Sequence, residues 1–251
     1  MDNYNNIEQL KDFIMESRNP YVLTGAGIST ESGIPDFRSK DGLWNTIDPM
    51  EYSTRQVLIT SPKKFYQYGF PRFRDLLDKK PNQGHYALTE LERKGIIKGI
   101  ITQNIDGLHQ KSGSKNVVEV HGSTKTCHCL ECFSEYPFSE IVNQLEGYNK
   151  ELPVCSSCSG ILRPDIVLFG DSMPEEFFEI AEVLKKQCDL LIVVGTSLQV
   201  YPVAALAELV DSLIIINLDE TPFDLQAEVV INDSCGETLS KLKELIIKNL
   251  Y

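Results

Sequence analysis

An α/β fold, with a mostly parallel sheet flanked by helices and interrupted by two insertions, is what the sequence predicts, and three observations carry it. Short runs that are apolar throughout, suited to strands covered on both faces, alternate with stretches of helical periodicity. Residues 124–163 break that rhythm and hold two Cys-x-x-Cys pairs. Residues 42–80 carry helical apolar residues (Phe65, Tyr66, Tyr68, Phe70, Phe73, Leu76, Leu77) without a strand. The expected division is a sheet domain from residues 1–41, 81–123 and 164–251, a helical insertion at 42–80, and a metal-stapled module at 124–163.

The first helix should contain Ile7, Leu10, Phe13 and Ile14, which fall on one face at helical spacing. Strands are expected at residues 21–23, 100–102, 117–120, 166–169, 190–194, 213–217 and 229–231. Between them, residues 84–94 align Ala87, Leu88 and Leu91. Residues 174–187 begin with Pro174, carry Glu175 and Glu176 in the first turn, and end with Lys185 and Lys186, matching the helix dipole. The last helix opens on Ser234-x-x-Glu237, a capping box, and aligns Leu239, Leu242, Leu245 and Ile246. The region at 124–163 is polar, contains Pro137 and Pro153, and shows little strand alternation.

At 251 residues the chain can bury a large core. Its 24 Lys and Arg against 36 Asp and Glu give a net charge of −12, which argues against a nucleic-acid surface. That balance suits basic partners such as lysine-rich segments, but it is equally ordinary for a cytoplasmic protein. No apolar run approaches the roughly 18 residues of a membrane span. The opening MDNYNN has neither a basic nor an apolar leader region, so no secretory signal is expected. Seven cysteines, four of them in Cys-x-x-Cys pairs, point to metal in a reducing compartment, so cytoplasm is expected. Without long terminal extensions, a monomer is the expectation.

The glycine-rich run GAGISTESGIPDFR at residues 25–38 follows the first strand. Gly25 and Gly27 let backbone N–H groups approach a pyrophosphate, but the next glycine, Gly33, is six residues on rather than three. A hydride-transfer fingerprint is therefore not met. Asp36, Phe37 and Arg38 follow as groups able to act on a cofactor. The segment Gln103-Asn104-Ile105-Asp106 and His121 each follow a strand, at the carboxyl end of the sheet where such folds bind ligands. Asp106 and the Ile105 backbone suit a carboxamide, and Asn104 a ribose hydroxyl or a water; the alternative is a polar loop with Asp106 capping the next helix. A neutral imidazole at position 121 suits a general base, although a strand-end histidine is often structural. Gly195-Thr196-Ser197 and Asn217-Leu218-Asp219 end the next two strands and offer hydroxyl and backbone donors, or simply strand-end turns. Cys129, Cys132, Cys155 and Cys158 have zinc-ribbon spacing; four thiolates would close the metal's sphere and make it structural. Cys127 and His128 offer alternative ligands, whereas Cys188 and Cys235 read as core thiols.

Residues 25–38 resemble the first signature of the sirtuins, the NAD-dependent protein deacylases, and TQNIDGLH at 102–109 resembles the second. His121-Gly122, the two cysteine pairs and Gly195-Thr196-Ser197 continue in that family's order, and nearly the whole chain is similar to its small bacterial members. The resemblance implies a Rossmann-like domain, NAD consumed as co-substrate and one structural zinc, with Cys129 rather than Cys127 as first ligand. It implies cofactor contacts at Gly25, Ala26, Gly27, Thr30, Asp36, Phe37, Arg38, residues 103–106 and His121. It also places the adenosine half near Gly195, Thr196, Ser197, Asn217, Leu218, Asp219 and Cys235. An acylated lysine in an extended peptide would lie between the sheet domain and the zinc module, pairing along Val167, Leu168, Phe169 and Gly170.

In the implied reaction the acyl oxygen displaces nicotinamide from the ribose, helped by Asn104 and Asp106, while Phe37 blocks its return. His121 then draws a proton from a ribose hydroxyl, lysine leaves, and the acyl group ends on ADP-ribose. Sirtuins preferring succinyl or malonyl groups carry Tyr followed three residues later by Arg; here Tyr66 is followed by Gly69, which favours acetyl or apolar acyl groups. Arg72 and Arg74 keep an acidic acyl group open, and protein ADP-ribosyl transfer is the alternative reaction. A zinc-containing scaffold or nucleic-acid module without catalysis is a third reading.

Overall fold

The computed structural model describes residues 2–37, 42 and 48–249. Arg38, expected in the cofactor loop, lies outside them. The chain runs α1 (Asp2–Glu16), β1 (Pro20–Thr24), α2 (Pro49–Tyr52), α3 (Arg55–Thr60), α4 (Pro62–Leu77), α5 (Gln83–Arg93), β2 (Gly99–Thr102), α6 (Leu108–Ser112) and β3 (Val117–Glu119). It continues through β4 (Gly122–Cys129), β5 (Glu135–Pro137), α7 (Ser139–Val142), β6 (Leu162–Ile166), α8 (Glu175–Gln187), β7 (Leu190–Val194), β8 (Leu213–Ile216), β9 (Val229–Ile231) and α9 (Cys235–Lys248).

Six strands form a parallel sheet in the order β3-β2-β1-β7-β8-β9. Counted within that sheet alone the order is 3-2-1-4-5-6, the doubly wound Rossmann arrangement. Alternate side chains go to opposite faces, and both faces are covered. Val22, Ile100, Ile192 and Ile214 pack with Leu10 of α1, Leu88 of α5 and Leu239 of α9. Leu23, Ile101, Val193 and Ile215 pack with Ile180 and Leu184 of α8 and with Leu206. Every residue of β7 and β8 is buried, which is why these strands read as unbroken apolar runs.

A second, antiparallel sheet has the order β5-β4-β6. It corrects two expectations. Residues 166–169 are not a strand of the main sheet: Ile166 ends β6, which pairs with β4, and beyond it Phe169 makes only an isolated bridge to Thr54. The region around the cysteines does contain strands, and β6 alternates buried and half-buried residues. Strands β5 and β6 are short, and β4, though eight residues long, has a register shift between Gly122 and Cys127 that breaks its alternation.

Leu58 of α3 and Phe65, Tyr66 and Phe70 of α4 share one core with Cys127, Phe138, Ile141, Leu162 and Ile166. Helices α3 and α4 therefore share one core with the small sheet. Helix α4 runs through Pro71 without ending. At α9 only half of the expected capping box forms: Ser234 accepts from the Glu237 N–H, but the Ser234 N–H goes to Asp233 rather than Glu237, and Glu31 accepts from the Gly236 N–H and the Ser234 hydroxyl. Among the described residues, no helix is long and apolar enough to cross a membrane.

Candidate active site and metal centre

The order of the main sheet reverses between β1 and β7, so the segments leaving their carboxyl ends diverge and open a crevice. A 3-10 segment, Ala26–Ser32, follows β1 and packs directly against the turn after β7. Gly27 N–H donates to the Gly195 carbonyl at 2.8 Å. A Cβ on Gly27 would lie 2.7 Å from Gly195 Cα, and one on Gly195, whose φ is +62°, would lie 2.3 Å from Ile28 N. Those glycines let two backbones touch at the floor of the crevice.

Above that floor sits a directed polar cluster. The Asn104 Nδ2 amide donates to the Gly25 carbonyl at 3.0 Å and to Ser29 Oγ at 3.1 Å. Both of its amide hydrogens are then committed, leaving Oδ1 as the atom Asn104 can offer a hydroxyl or water. Ser29 Oγ donates to Asp106 Oδ2 at 2.8 Å, and the Leu108 N–H donates to Oδ1 at 2.9 Å. Asp106 is not the N-cap of α6, which is Gly107, but it precedes that residue and accepts from the first helical N–H, that of Leu108. Burial pushes its pKa up, against the opposing pull of the Leu108 and Ser29 bonds. The Ile105 carbonyl accepts from Thr124 Oγ1 at 3.0 Å, which fixes the orientation of that residue's backbone. A cavity of about 310 Å³ adjoins Ile105, Asp106, Ser123 and Thr124. A larger one, about 460 Å³, lies between α4 and residues 145–151, remote from this chemistry.

His121 Nδ1 lies 3.0 Å from the Gln103 carbonyl. A carbonyl only accepts, so Nδ1 carries the proton and Nε2 is a bare lone pair. Burial lowers the pKa from 6.5, with the Gln103 bond opposing, so the ring is neutral at neutral pH. Gln103 Nε2 in turn donates to Thr196 Oγ1 at 3.0 Å, tying the loops after β2 and β7 together. The His121 carbonyl accepts from Val167 N–H at 2.8 Å, so residues 167–170 leave directly from the imidazole's own backbone. Gly122, at φ +70°, makes room for the Asp165 carbonyl, which a Cβ would meet at 2.1 Å, rather than for a ligand.

Gly25, Ala26, Gly27, Gln103, Asn104, Ile105, Asp106, His121, Gly195 and Thr196 are therefore linked into one constellation, and Ser197 follows Thr196 at its edge. Thr30 is exposed, with its hydroxyl on the Gly27 carbonyl. Phe37 is 45% exposed and, with Asp36, lies at the end of the described part of that loop. Asn217 sits two strands away at the end of β8, its amide closing on the Asp219 carbonyl at 2.7 Å, and Leu218 and Asp219 are exposed. Cys235 is a core thiol bonded to the Ile216 carbonyl, its pKa pushed by burial to about 12. Sequence reasoning missed Ser29, whose one signal was a hydroxyl inside the glycine run. It also missed the pairing of Arg163 with Asp171 behind residues 167–170.

Cys129, Cys132, Cys155 and Cys158 bring four Sγ atoms within 4.8 Å of one another. The 129–158 and 132–155 pairs are 3.4 and 3.6 Å apart. A tetrahedral zinc with its usual thiolate bonds needs sulfurs about 3.8 Å apart, so the donor set fits. The N–H groups of Glu131, Ser157 and Gly160 point at Cys129, Cys155 and Cys158, which favours thiolates. Cys127 is no ligand: it is wholly buried, its Sγ donates to the Pro137 carbonyl, and burial holds it as a thiol. His128 is engaged with Asp165.

This is a dinucleotide-binding α/β protein carrying a four-cysteine module and a neutral imidazole at the switch point. The Sir2 family model matches residues 25–202, and the chain belongs to that family. It is 48% identical, over 98% of both chains, to NAD-dependent protein deacetylase 2 of Caldanaerobacter subterraneus subsp. tengcongensis. A solved Sir2 histidine-to-alanine variant with a deacetylated p53 peptide and 3′-O-acetyl ADP-ribose superposes with a TM-score of 0.90, at 37% identity over 95% of this chain and 98% of that one. A Sir2 complex with a p53 peptide and NAD+ gives 0.87, at 36% identity over 98% and 99%.

Proposed function

We infer that this protein removes acetyl or similar acyl groups from protein lysine side chains, consuming NAD and releasing nicotinamide, the free lysine and O-acyl-ADP-ribose. The observation that carries the residue roles is the imidazole of His121, held in one tautomer by the Gln103 carbonyl with Nε2 bare beside the Asn104 cluster. His121 takes the proton from a ribose hydroxyl. Asn104 orients a ribose hydroxyl or the reacting water through Oδ1, and Asp106 with the Ile105 N–H holds the nicotinamide carboxamide. Ala26 and the glycines beside it line the pyrophosphate, Phe37 shields the ribose, and Asn217 and Ser197 face the adenosine half. Val167 to Gly170 offer backbone to an extended peptide, and the acidic chain suits a lysine-bearing partner. Zinc at the four cysteines holds structure, and a thiolate-bound metal supports a cytoplasmic setting.

Acetyl or apolar acyl groups are favoured by one further feature. Tyr66 is 3% exposed with its hydroxyl on the Leu162 carbonyl, so it is a core residue and not a reader of an acyl carboxylate. His121→Ala is expected to keep NAD binding while deacylation of an acetyl-lysine peptide falls by roughly 10²–10⁴-fold. Undiminished turnover would remove His121 from its role. Nicotinamide release without any acyl peptide would point to ADP-ribosyl transfer instead.

A further inference from the structure

Two imidazoles behind the Asn104 loop take no part in the chemistry above. His85 on α5 and His109 on α6 are 0% and 1% exposed, and their ring centroids are 5.0 Å apart. Their tautomers follow from their partners. His85 Nδ1 accepts from the Asn82 N–H at 3.3 Å, so its proton is on Nε2. Thr24 Oγ1 donates to Thr102 Oγ1 at 2.8 Å, so it accepts from His109 Nε2 at 2.9 Å, and His109 Nδ1 is a bare lone pair. The two remaining atoms, a donor on His85 and an acceptor on His109, are buried and without a partner among the described residues.

Buried polar groups are almost always satisfied, and here the two orphans are complementary and on neighbouring rings. We propose that His85 and His109 meet, directly or across one water, as an uncharged hydrogen-bond relay that positions Asn104. The relay runs from the Asn82 N–H through both rings to Thr24 and Thr102, and Thr102 Oγ1 receives the Asn104 N–H at 3.1 Å. At its other end Asn82 Nδ2 donates to the Ile28 carbonyl at 2.7 Å and to Ser32 Oγ at 3.0 Å, which fixes the 3-10 segment bearing Ser29. One polar chain therefore holds the backbone of Asn104 and also the segment its side chain grips. The His85 Nε2–H meets an acceptor on His109 only while both rings are neutral, and burial lowers them to about 4 and about 3. His85 and His109 are positioning residues, and the proposal rests on the role given to Asn104 above.

Imidazole nitrogen NMR of the whole protein should show both rings as neutral Nε2–H tautomers between about pH 5.5 and 7.5, and His121 as the Nδ1–H form. His109→Phe should lower kcat roughly 10–100-fold while the acyl-peptide KM stays within about twofold, and His109→Gln, which keeps a donor and an acceptor, should recover most of the loss. A His109 carrying its proton on Nδ1, or a His109→Phe enzyme with the parent kcat, would overturn the relay. Asn104→Ala separates the two ideas. If it is fully active the functional reading fails; if it is inactive beside a fully active His109→Phe, the relay alone fails.

Discussion

A single backbone carbonyl decides what His121 can do, because the Gln103 oxygen fixes the proton on Nδ1 and leaves the other nitrogen basic. A comparable economy governs Asp171. Arg163 donates to both of its oxygens, at 3.2 and 2.8 Å, and also to the Ile166 carbonyl, while Leu168 N–H reaches Asp171 at 2.9 Å. Burial alone would raise the Asp171 carboxyl, yet Arg163 and Leu168 together hold it below the usual value. The pair clamps residues 166–171, the segment proposed for pairing with the peptide's backbone. Asp171→Asn leaves a guanidinium that is only 11% exposed without its charge partner. A charge-assisted pair of this kind contributes enough that the acyl-peptide KM should rise roughly tenfold or more, with the NAD KM nearly unchanged. Steady-state kinetics in both substrates checks this; an unchanged peptide KM would mean the loop holds its shape unaided.

Among the elements, β4 links the metal to the chemistry. It starts at Gly122, next to His121, and ends on the ligand Cys129. Cys129 and Cys155 also belong to the core that α3 and α4 share with the small sheet. Stripping zinc with a thiol reagent and chelator should therefore release one metal per chain and abolish deacylation, since the strand that begins beside His121 loses its far anchor. The main sheet, packed around β1, β7 and β8, should keep its far-UV signal; full activity of the metal-free protein would show that β4 is held by packing alone. The same elements show what the sequence can disclose. Strands β1, β2, β7 and β8 are buried on both faces, so their apolar runs were readable, and the switch-point site followed from where they end. The small sheet was not, because β4 is irregular in its burial and the alternation of β6 spans only five residues. Likewise Asn82-x-x-His85 is a complete capping box written in unexpected residues, whereas in Ser234-x-x-Glu237 the Ser234 N–H is taken by the neighbouring Asp233 instead of Glu237.

At the scale of the whole molecule, burying neutral histidines makes stability depend on acid. His85 and His109 sit at about 4 and about 3, and His121 below 6.5, in each case chiefly through burial. In the unfolded chain these rings return to about 6.5, so below that pH the unfolded state binds protons the folded state refuses. Their contribution is intact above about pH 6.5 and is lost as pH falls towards the folded values, at about 1.4 kcal/mol per pH unit for each proton taken up. Two effects run the other way. Asp106, raised by burial, takes up a proton more readily when folded, and the excess of acidic groups repels itself less as they protonate. The first begins above the ordinary carboxylate range and the second within it, at about pH 4, while Asp171 and Asp189, held low, lose their contribution lower still. Between about pH 6.5 and the carboxylate range the three lowered histidines outweigh the one raised carboxyl. The urea midpoint should fall steadily from about pH 7.5 to 5. It should fall less steeply in a folded His109→Phe variant, which has one proton fewer to take up on unfolding. A midpoint that held constant across that interval would mean the buried rings already carry charge in the folded protein, and neither could then act as a neutral partner to its neighbour.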